Sequence, residues 1–268
     1  ANRAVTQADV ILAVGARFDD RVTGKLSQFA PNARIVHIDI DPTTLRKNVR
    51  VEVPVVSDAL SALQGLRSIL ESGHAQKDWA GDHADWMGQV LEWQKEHPLS
   101  WAKGDVLKPQ QVVERMYEIT KGEAIITTEV GQNQMWAAQY LRHAKSRGFI
   151  TSGGLGTMGY ALPAAVGAKV ACPERQTIVV CGDGSFQMAM NELAAVRAGG
   201  LDLKIVLFRN HTLGLVHQIQ CSAPYHGPFG VALDGSPDFE TIAQAYGIPS
   251  LAVRDEDRLD GEAWDTIG

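Results

Sequence analysis

Two short polar motifs carry groups suited to cation and phosphate chemistry. The first is Gly-Asp-Gly-Ser at residues 182–185, which directly follows an apolar, strand-like run. The second is Asn210, which follows the next apolar run and lies 27 residues beyond Asp183. This spacing corresponds to one strand–helix–strand crossover. Because the carboxyl ends of parallel strands meet at one edge of an open sheet, where ligands bind, we expect the two motifs to share a site.

These residue types match what a divalent cation and a diphosphate require. Mg²⁺ prefers about six oxygen ligands and shares them with phosphate and water. Asp183, Asn210 and a backbone carbonyl would supply the protein's part of that set. Gly184 allows the backbone to approach a phosphate closely, and Ser185 at a helix start adds hydrogen-bond donors. The loop 129–133 follows another predicted strand, so we expect it at the same edge of the sheet.

A glycine-rich segment offers a competing interpretation. Residues 154–159 match the GxGxxG pattern of dinucleotide sites, and Asp183 lies 24 residues beyond them, as a ribose-binding acid would. However, the preceding run 149–151 is too short for a convincing first strand. Pro163 falls early in the helix that would hold the phosphates, and Asn210 would have no role. We therefore favour the cation site.

The elements around these motifs alternate between strands and helices. Strands are predicted at 10–14, 34–40, 124–128, 177–181, 204–208 and 250–253, and helices from the cap Asp58 to Leu70 and at 109–120, 160–171, 191–198 and 238–246. This alternation indicates an α/β fold with open parallel sheets flanked by helices. Trp79, Trp86 and Trp93 recur at seven-residue spacing, which predicts one face of a linker helix.

The composition narrows the classes of function. The 268 residues include 25 Lys and Arg against 31 Asp and Glu, for a net charge of −6. No basic excess favours nucleic acid or anionic lipid as a partner, and the apolar runs are too short to cross a bilayer. The three cysteines, Cys172, Cys181 and Cys221, lack CxxC spacing. They indicate a reducing, cytoplasmic location without a zinc site or a disulfide framework.

The motifs resemble a known family. The Gly-Asp-Gly-Ser motif followed by Asn210 is typical of the thiamine-diphosphate fold. The stretches 15–24, 37–41 and 152–159 further resemble the large, catalytic subunit of the acetolactate (acetohydroxyacid) synthase family, over nearly the whole chain. The resemblance implies a Rossmann-like front part, residues 1–70, from the rear of a central FAD-binding domain. Residues 71–108 would be a linker and residues 109–268 most of the thiamine-diphosphate-binding domain.

The resemblance also implies which residues bind the cofactors. Asp183, Asn210 and the backbone of Thr212 match Mg²⁺ ligands. The diphosphate contacts would be Gln132, Asn133, Gly184, Ser185, Asn210, Thr212, Leu213, Gly214 and Leu215. Gly156, Thr157 and Met158 would hold the aminopyrimidine ring, with Met158 bending the cofactor. The FAD contacts would be Gly15, Arg17, Asp19, Asp39, Ile40, Asp58 and Ala59. Ile219 would line the pocket for the second substrate, where many members carry Trp, and Asn133 stands where the family has His.

The implied reaction is a carboligation. Pyruvate would lose carbon dioxide, and the two-carbon unit would join a second 2-oxo acid, pyruvate or 2-oxobutyrate, in branched-chain amino-acid biosynthesis. The resemblance implies a homo-oligomer, possible pairing with a small regulatory subunit, and an activating glutamate in an amino-terminal domain that this sequence lacks. The chain alone would then be inactive. The alternatives are another thiamine-diphosphate enzyme (glyoxylate carboligase, sulfoacetaldehyde acetyltransferase or pyruvate oxidase) or a non-catalytic dinucleotide-binding module.

Overall fold

The computed structural model describes residues 2–73, 77–104, 106–222 and 227–254. The chain divides into two compact units, residues 1–98 and residues 99–268. Both are built on parallel sheets with flanking helices, so the predicted fold class is confirmed. Among the described residues, none of the helices is both long enough and apolar enough to span a lipid bilayer.

The first unit contains a three-stranded parallel sheet in the order β1-β2-β3. The strands are β1 (Val10–Val14), β2 (Arg34–Asp39) and β3 (Val53–Val56). The first three helices of the unit are α1 (Asn2–Gln7), α2 (Asp20–Thr23) and α3 (Ala59–Gly73), and two more follow them in the chain. The core lies on one face of the sheet and contains Ala13, Phe18, Ile35 and Val51.

Strand β3 was missing from the sequence prediction, and β2 ends one residue earlier than expected. Strand β3 contains Pro54, which has no N–H to donate to a ladder and therefore argues against a strand. The sheet tolerates Pro54 because β3 pairs only with β2 on the described sheet. The helix capped by Asp58 is present as α3, although the predicted apolar face, represented by Leu60 and Leu63, is exposed.

The tryptophan-bearing segment forms two helices where one was predicted. These are α4 (Trp79–Asp82) and α5 (Ala84–Glu96), separated at His83. The Asp78 carboxylate caps α4 by accepting a 2.9 Å hydrogen bond from the N–H of Gly81. Trp86 and Trp93 share a face of α5 and meet edge to face, with ring centroids 5.9 Å apart. Trp79 belongs to the other helix, so the single three-tryptophan face was wrong.

The second unit contains a four-stranded parallel sheet in the order β5-β4-β6-β7. The strands are β4 (Ile125–Thr128), β5 (Phe149–Thr151), β6 (Thr177–Gly182) and β7 (Leu203–Phe208). The helices are α6 (Pro109–Thr120), α7 (Gln132–Tyr140), α8 (Ala161–Ala171), α9 (Asp183–Ala189), α10 (Leu193–Ala198), α11 (Gly214–Gln220) and α12 (Phe239–Ala245). A 3₁₀ turn, Met190–Glu192, precedes α10 and takes the first part of the helix predicted at 191–198.

Strand β6 is central because its two faces enter two different cores. Ile178 and Val180 are fully buried in a cluster with helices α6 and α7. Val179 and Cys181 are buried on the opposite face, against α8 and α9. This burial explains the continuous apolar run that precedes the Gly-Asp-Gly-Ser motif, since strands covered on both faces do not alternate with polar residues.

Two local predictions in this unit were wrong. The run 149–151 forms β5, an edge strand held by three residue pairs to β4, so its shortness did not prevent pairing. The segment 250–253 is irregular rather than a strand. Val253 packs against the core without joining a ladder, which explains why its apolar composition resembled a strand.

Candidate cofactor site

One cleft at the carboxyl ends of β4, β6 and β7 collects most of the predicted diphosphate and metal residues. The predicted residues that line it are Gln132, Asn133, Met158, Asp183, Gly184, Ser185, Asn210, Thr212, Leu213, Gly214 and Leu215. The sequence did not single out Val130, Trp136, Phe208 and Val216, which supply apolar wall. Their position directly before or after the polar motifs was the available signal.

Asp183 is the buried acid of the cleft. It begins α9, directly after β6, and is 2% exposed. Its Oδ1 accepts a 2.9 Å hydrogen bond from the N–H of Gly184, and its Oδ2 accepts a 2.8 Å bond from the N–H of His211. A carboxylate offers about four lone-pair positions, so both oxygens retain capacity for a cation. The second bond fixes the Asn210 loop beside Asp183.

The loop that follows β7 is held by its own side chains. The Asn210 Oδ1 accepts a 3.1 Å hydrogen bond from the N–H of Thr212, which closes a tight turn. The Thr212 hydroxyl donates to the carbonyl of Val231 over 3.1 Å, and the N–H of Leu213 donates to the same carbonyl over 2.9 Å. The amide oxygen and the turn backbone are therefore presented in one fixed conformation.

Two glycines of the cleft have the ends of neighbouring side chains packed close to their α-carbons. A β-carbon on Gly184 would lie 2.6 Å from Leu213 Cδ2. A β-carbon on Gly214 would lie 2.2 Å from Gln132 Oε1 and 2.9 Å from Asn210 Nδ2. All three distances are shorter than van der Waals contact, so the side-chain ends of Leu213, Gln132 and Asn210 would have to move to admit a β-carbon. The backbone is thus bare on two sides of the cleft, as close approach to a phosphate requires.

The start of α7 supplies two amide side chains with different surroundings. Gln132 Nε2 donates to Gln218 Oε1 over 3.0 Å and connects α7 with α11. Asn133 is buried, and its Nδ2 donates to the carbonyl of Val180 over 3.2 Å. Asn133 therefore braces the wall of the cleft at the position where the resemblance implies a cofactor contact.

The loop carrying Met158 reaches the same cleft. The Met158 methyl carbon lies 3.7 Å from the position of a β-carbon on Gly184. Gly156 has a φ of +71°, the left-handed region in which glycine is favoured, and the N–H of Thr157 donates to the Ser152 hydroxyl over 2.8 Å. Gly156 and Thr157 shape the loop, and Met158 is the residue that lines the cleft.

Ile219 stands apart from this group. It lies on α11, whose first residues, Gly214 to Val216, line the cleft. Ile219 is partly buried and is not among the lining residues of the described structure. Its predicted role in a second-substrate pocket stays a prediction.

Sequence analysis expected Glu129, the residue directly after β4, at this edge of the sheet in the loop 129–133 but gave it no role in the site. It is 1% exposed, and its carboxylate oxygens accept 3.0 Å hydrogen bonds from the N–H groups of Gly159 and Gly182. Burial raises the pKa of Glu129, while hydrogen bonds from these amides and from the Ser185 and Asn133 side chains lower it. The sequence signal was an acid directly after a predicted strand and two residues before Gly131.

The donor set favours a hard cation that also binds phosphate. Within the described residues, no group of three or more His, Cys, Asp and Glu side chains converges on one point. A cation in the cleft would therefore depend on Asp183, the Asn210 amide and backbone oxygen, completed by oxygens from a ligand. Such shared coordination is typical of Mg²⁺.

The first unit places the predicted flavin residues at the carboxyl ends of its own strands. Gly15 follows β1 with a φ of +65°, and Asp39 ends β2, followed by the exposed Ile40. Asp58 precedes α3, which begins at Ala59, and its Oδ1 accepts a 2.9 Å bond from the N–H of Ser61.

Arg17 and Asp19 form an ion pair shortly after β1, with the guanidinium exposed and the carboxylate half-buried. The Arg17 Nε donates to Asp19 Oδ2 over 2.7 Å, and the Arg17 bond is the main cause that lowers the pKa of Asp19. Asp19 also caps α2 through the N–H of Val22. The edge of this sheet thus carries a guanidinium and carboxylates within one small region.

Comparison with known families now defines the class. Residues 129–263 match the family model described as thiamine pyrophosphate enzyme, C-terminal TPP binding domain. Residues 1–66 match the model described as thiamine pyrophosphate enzyme, central domain. The chain belongs to the thiamine pyrophosphate enzyme family. Thiamine pyrophosphate is another name for thiamine diphosphate.

Individual curated proteins that resemble this chain are acetolactate synthases. The chain is 43% identical over 267 residues to acetolactate synthase 1, chloroplastic, of Nicotiana tabacum, covering 97% of this chain and 40% of that protein. It is 41% identical over 266 residues to the acetolactate synthase isozyme 3 large subunit of Escherichia coli K12, covering 98% and 46%. The acetolactate synthase large subunit of Parasynechococcus marenigrum is 42% identical, with 97% and 41% covered. The chain spans less than half the length of these relatives.

Proposed function

We propose that this chain is the cofactor-holding part of an acetolactate synthase large subunit. The observation that carries the proposal is the cleft in which buried Asp183 and the Asn210 turn are joined by the hydrogen bond from His211 N–H to Asp183. That constellation lies inside the region matched to thiamine-pyrophosphate binding. The identity to acetolactate synthases extends over both units and supports that activity within the family.

Mg²⁺ and thiamine diphosphate fit the residues present. Asp183, Asn210 and the Thr212 backbone would hold Mg²⁺. The bare backbone at Gly184 and Gly214, where a β-carbon would clash, would admit the diphosphate. The remaining diphosphate contacts would come from Gln132, Asn133, Ser185, Leu213 and Leu215, and those to the aminopyrimidine from Gly156, Thr157 and Met158.

When bound, thiamine diphosphate supplies the electron sink for decarboxylation of a 2-oxo acid. The protein would contribute orientation and exclusion of water. The buried Asp183 and its backbone donors would fix the cation, and the Met158 side chain, 3.7 Å from the Gly184 β-carbon position, would hold the organic part against one wall. Val130, Trp136 and Phe208 would keep that wall apolar.

FAD is proposed as a second bound group, on the first unit. Gly15, Arg17, Asp19, Asp39, Ile40, Asp58 and Ala59 would contact it. Their location at the carboxyl ends of parallel strands supports this assignment, because dinucleotides bind at that edge of open α/β sheets. The match of residues 1–66 to the central domain of the family supports it independently of the second unit.

The remaining assignments follow from the same similarity. Pyruvate would be the first substrate and pyruvate or 2-oxobutyrate the second. The large subunit would form a homo-oligomer and can pair with a small regulatory subunit. We retain the division into a front domain at 1–70, a linker at 71–108 and a cofactor domain at 109–268, which the matched ranges support. The free thiols of Cys172, Cys181 and Cys221 favour the cytoplasm.

The test is product formation by the complete protein as its gene encodes it. Purified protein is supplied with pyruvate, thiamine diphosphate and Mg²⁺, and acetolactate is measured by its conversion to acetoin in acid. Acetolactate formation that stops when Mg²⁺ is chelated is the expected result. Parallel assays add phosphate and oxygen, or replace pyruvate with glyoxylate. Acetyl phosphate or acetate in the first, or tartronate semialdehyde in the second, without acetolactate from pyruvate, would assign the chain to a different thiamine-diphosphate enzyme.

A further inference from the structure

We propose that Glu129 is a positioning residue that holds the Met158 loop and the Asp183 turn in register with each other. The proposal rests on the function proposed above, because it concerns the same cofactor site. Glu129 would not touch the cofactor. It would act by fixing two backbone segments that do.

The geometry places one carboxylate between three elements. Glu129 follows β4 directly and is buried. Its Oε2 accepts from the N–H of Gly159 over 3.0 Å, and its Oε1 accepts from the N–H of Gly182 over 3.0 Å. The two donors lie 30 and 53 residues away in sequence, so a single side chain ties together segments that the chain does not connect locally.

Each of these donors is adjacent to a residue of the cleft. Gly159 directly follows Met158, and Gly182 directly precedes Asp183. Met158 and the Gly184 turn are already in van der Waals reach, with 3.7 Å between the Met158 methyl carbon and the Gly184 β-carbon position. Glu129, which lies behind the cleft, therefore sets the distance between Met158 and Asp183.

A carboxylate is the group that this position requires. It accepts through both oxygens at once, from the N–H groups of Gly159 and Gly182. Glutamine has one acceptor oxygen and an NH₂ group, so it would face at least one of the two backbone N–H groups with another donor. Burying a carboxylate costs free energy. The hydrogen bonds by which Glu129 fixes two backbone positions explain why an acid is buried here.

Glu129 is not among the residues that line the cleft of the described structure. Both its oxygens point at backbone donors of the wall and not into the cleft. A direct role in proton transfer to the ligand therefore does not fit the geometry. We therefore expect substitution of Glu129 to weaken cofactor binding because the two backbone segments lose order. We do not expect it to change which reaction is catalysed.

The experiment compares Glu129→Gln with wild type in the complete protein. Glu118→Gln is the matched control, because Glu118 is an exposed acid on α6 that pairs with Arg115. The first readout is amide hydrogen exchange without cofactor, followed in peptides that contain Gly159 and Gly182. Faster exchange at one or both glycines in Glu129→Gln, with no change in Glu118→Gln, is expected. Unchanged protection at both glycines in a folded Glu129→Gln protein would overturn the proposal.

The second readout is the affinity for Mg²⁺–thiamine diphosphate, followed by the change in tryptophan fluorescence, to which Trp136 in the cleft contributes. We expect Glu129→Gln to weaken binding by about 10–100-fold, the range for outer residues that orient ligands. Wild-type affinity in the folded variant would overturn the proposal. Failure of wild type to bind the cofactor would instead refute the proposed function, and the exchange readout would still test Glu129.

A third variant, Glu129→Asp, covers the case in which glutamine prevents folding. It keeps the carboxylate but shortens its reach by one methylene. We expect cofactor affinity between those of wild type and Glu129→Gln, with protection from exchange lost at only one of the two glycines. Wild-type exchange at both glycines together with wild-type affinity would contradict the requirement for a bridging carboxylate.

Discussion

The two units place acids at the carboxyl ends of parallel strands but hold them differently. In the second unit, Asp183 is buried and receives a hydrogen bond from His211, 28 residues along the chain. In the first unit, Asp19 and Asp58 accept backbone hydrogen bonds only three residues away, from Val22 and Ser61.

This difference indicates two kinds of site. Long-range bonds to a buried acid depend on the folded sheet, so the cleft of the second unit is shaped before any ligand arrives. Local bonds at an exposed edge form in the turn itself and leave the guanidinium of Arg17 60% exposed. A ligand of the first unit would therefore order the side chains of its site as it binds. A ligand of the second unit would bind to a preorganised site.

The difference between the two units is tested most strongly by replacing one glycine in each. Both glycines have left-handed backbone conformations. Gly122 has a φ of +74°, and a β-carbon there would lie 2.7 Å from the carbonyl oxygen of Arg142. Gly15 has a φ of +65° with nothing within 4 Å of its β-carbon position. Gly122→Ala should lower the free energy of unfolding by about 2–4 kcal/mol, because strain and a backbone clash add.

Gly15→Ala is the matched control and should cost only the backbone strain, about 1–2 kcal/mol. Chemical denaturation of both variants, followed by circular dichroism, measures the difference. Equal losses would mean that the second unit is no more tightly packed at its loops than the first.

Flavin retention tests the exposed edge of the first unit. Arg17→Ala removes the guanidinium beside Asp19 and should weaken FAD binding by roughly tenfold, as expected for a hydrogen bond to a charged group in an exposed setting. Arg21→Ala is the control, since Arg21 makes only a 4.0 Å contact with Asp20. The complete protein is dialysed, and its visible flavin absorbance is compared. A colourless, fully active wild type would refute the FAD assignment.

The smallest expected effect concerns the choice of second substrate. The two candidate acceptors differ by one methylene, and Ile219→Trp should shift the product ratio toward acetohydroxybutyrate by about fivefold, the lower end for one methylene in an apolar pocket. A competition assay with both 2-oxo acids measures the ratio. Because Ile219 is outside the lining of the described cleft, an unmoved ratio would show that it does not reach the acceptor.

The sequence predicted the parallel sheets because buried strands leave a continuous apolar signal, as at Thr177–Gly182. It also located the cleft, since polar residues directly after such strands must meet at one edge. It failed at β3 and β5, where pairing with a longer neighbour outweighs Pro54 and a length of three residues. At 250–253, the apolar residues led to a predicted strand. Val253 is instead packed against the core, and the segment pairs with no strand of the described sheet.

Glu129 and Asn133 show the other limit of sequence reasoning. Both acquire their roles from backbone groups that are distant in the chain, Gly182 for Glu129 and Val180 for Asn133. No local pattern encodes which backbone N–H or carbonyl will lie beside a side chain after folding. Gln132 was identified, but its bond to Gln218, 86 residues away, depends on the packing of α7 near α11.

The most direct test of the account is calorimetric titration of thiamine diphosphate into the complete protein, with Mg²⁺ and after chelation. The second unit's cleft predicts binding that requires Mg²⁺ and that weakens by at least about 100-fold in Asp183→Ala, which loses the buried acid. Asp39→Ala, at the end of β2 in the first unit, should bind like wild type. Binding that survives chelation, or an Asp183→Ala variant with wild-type affinity, would contradict the assignment of this cleft as the Mg²⁺–diphosphate site.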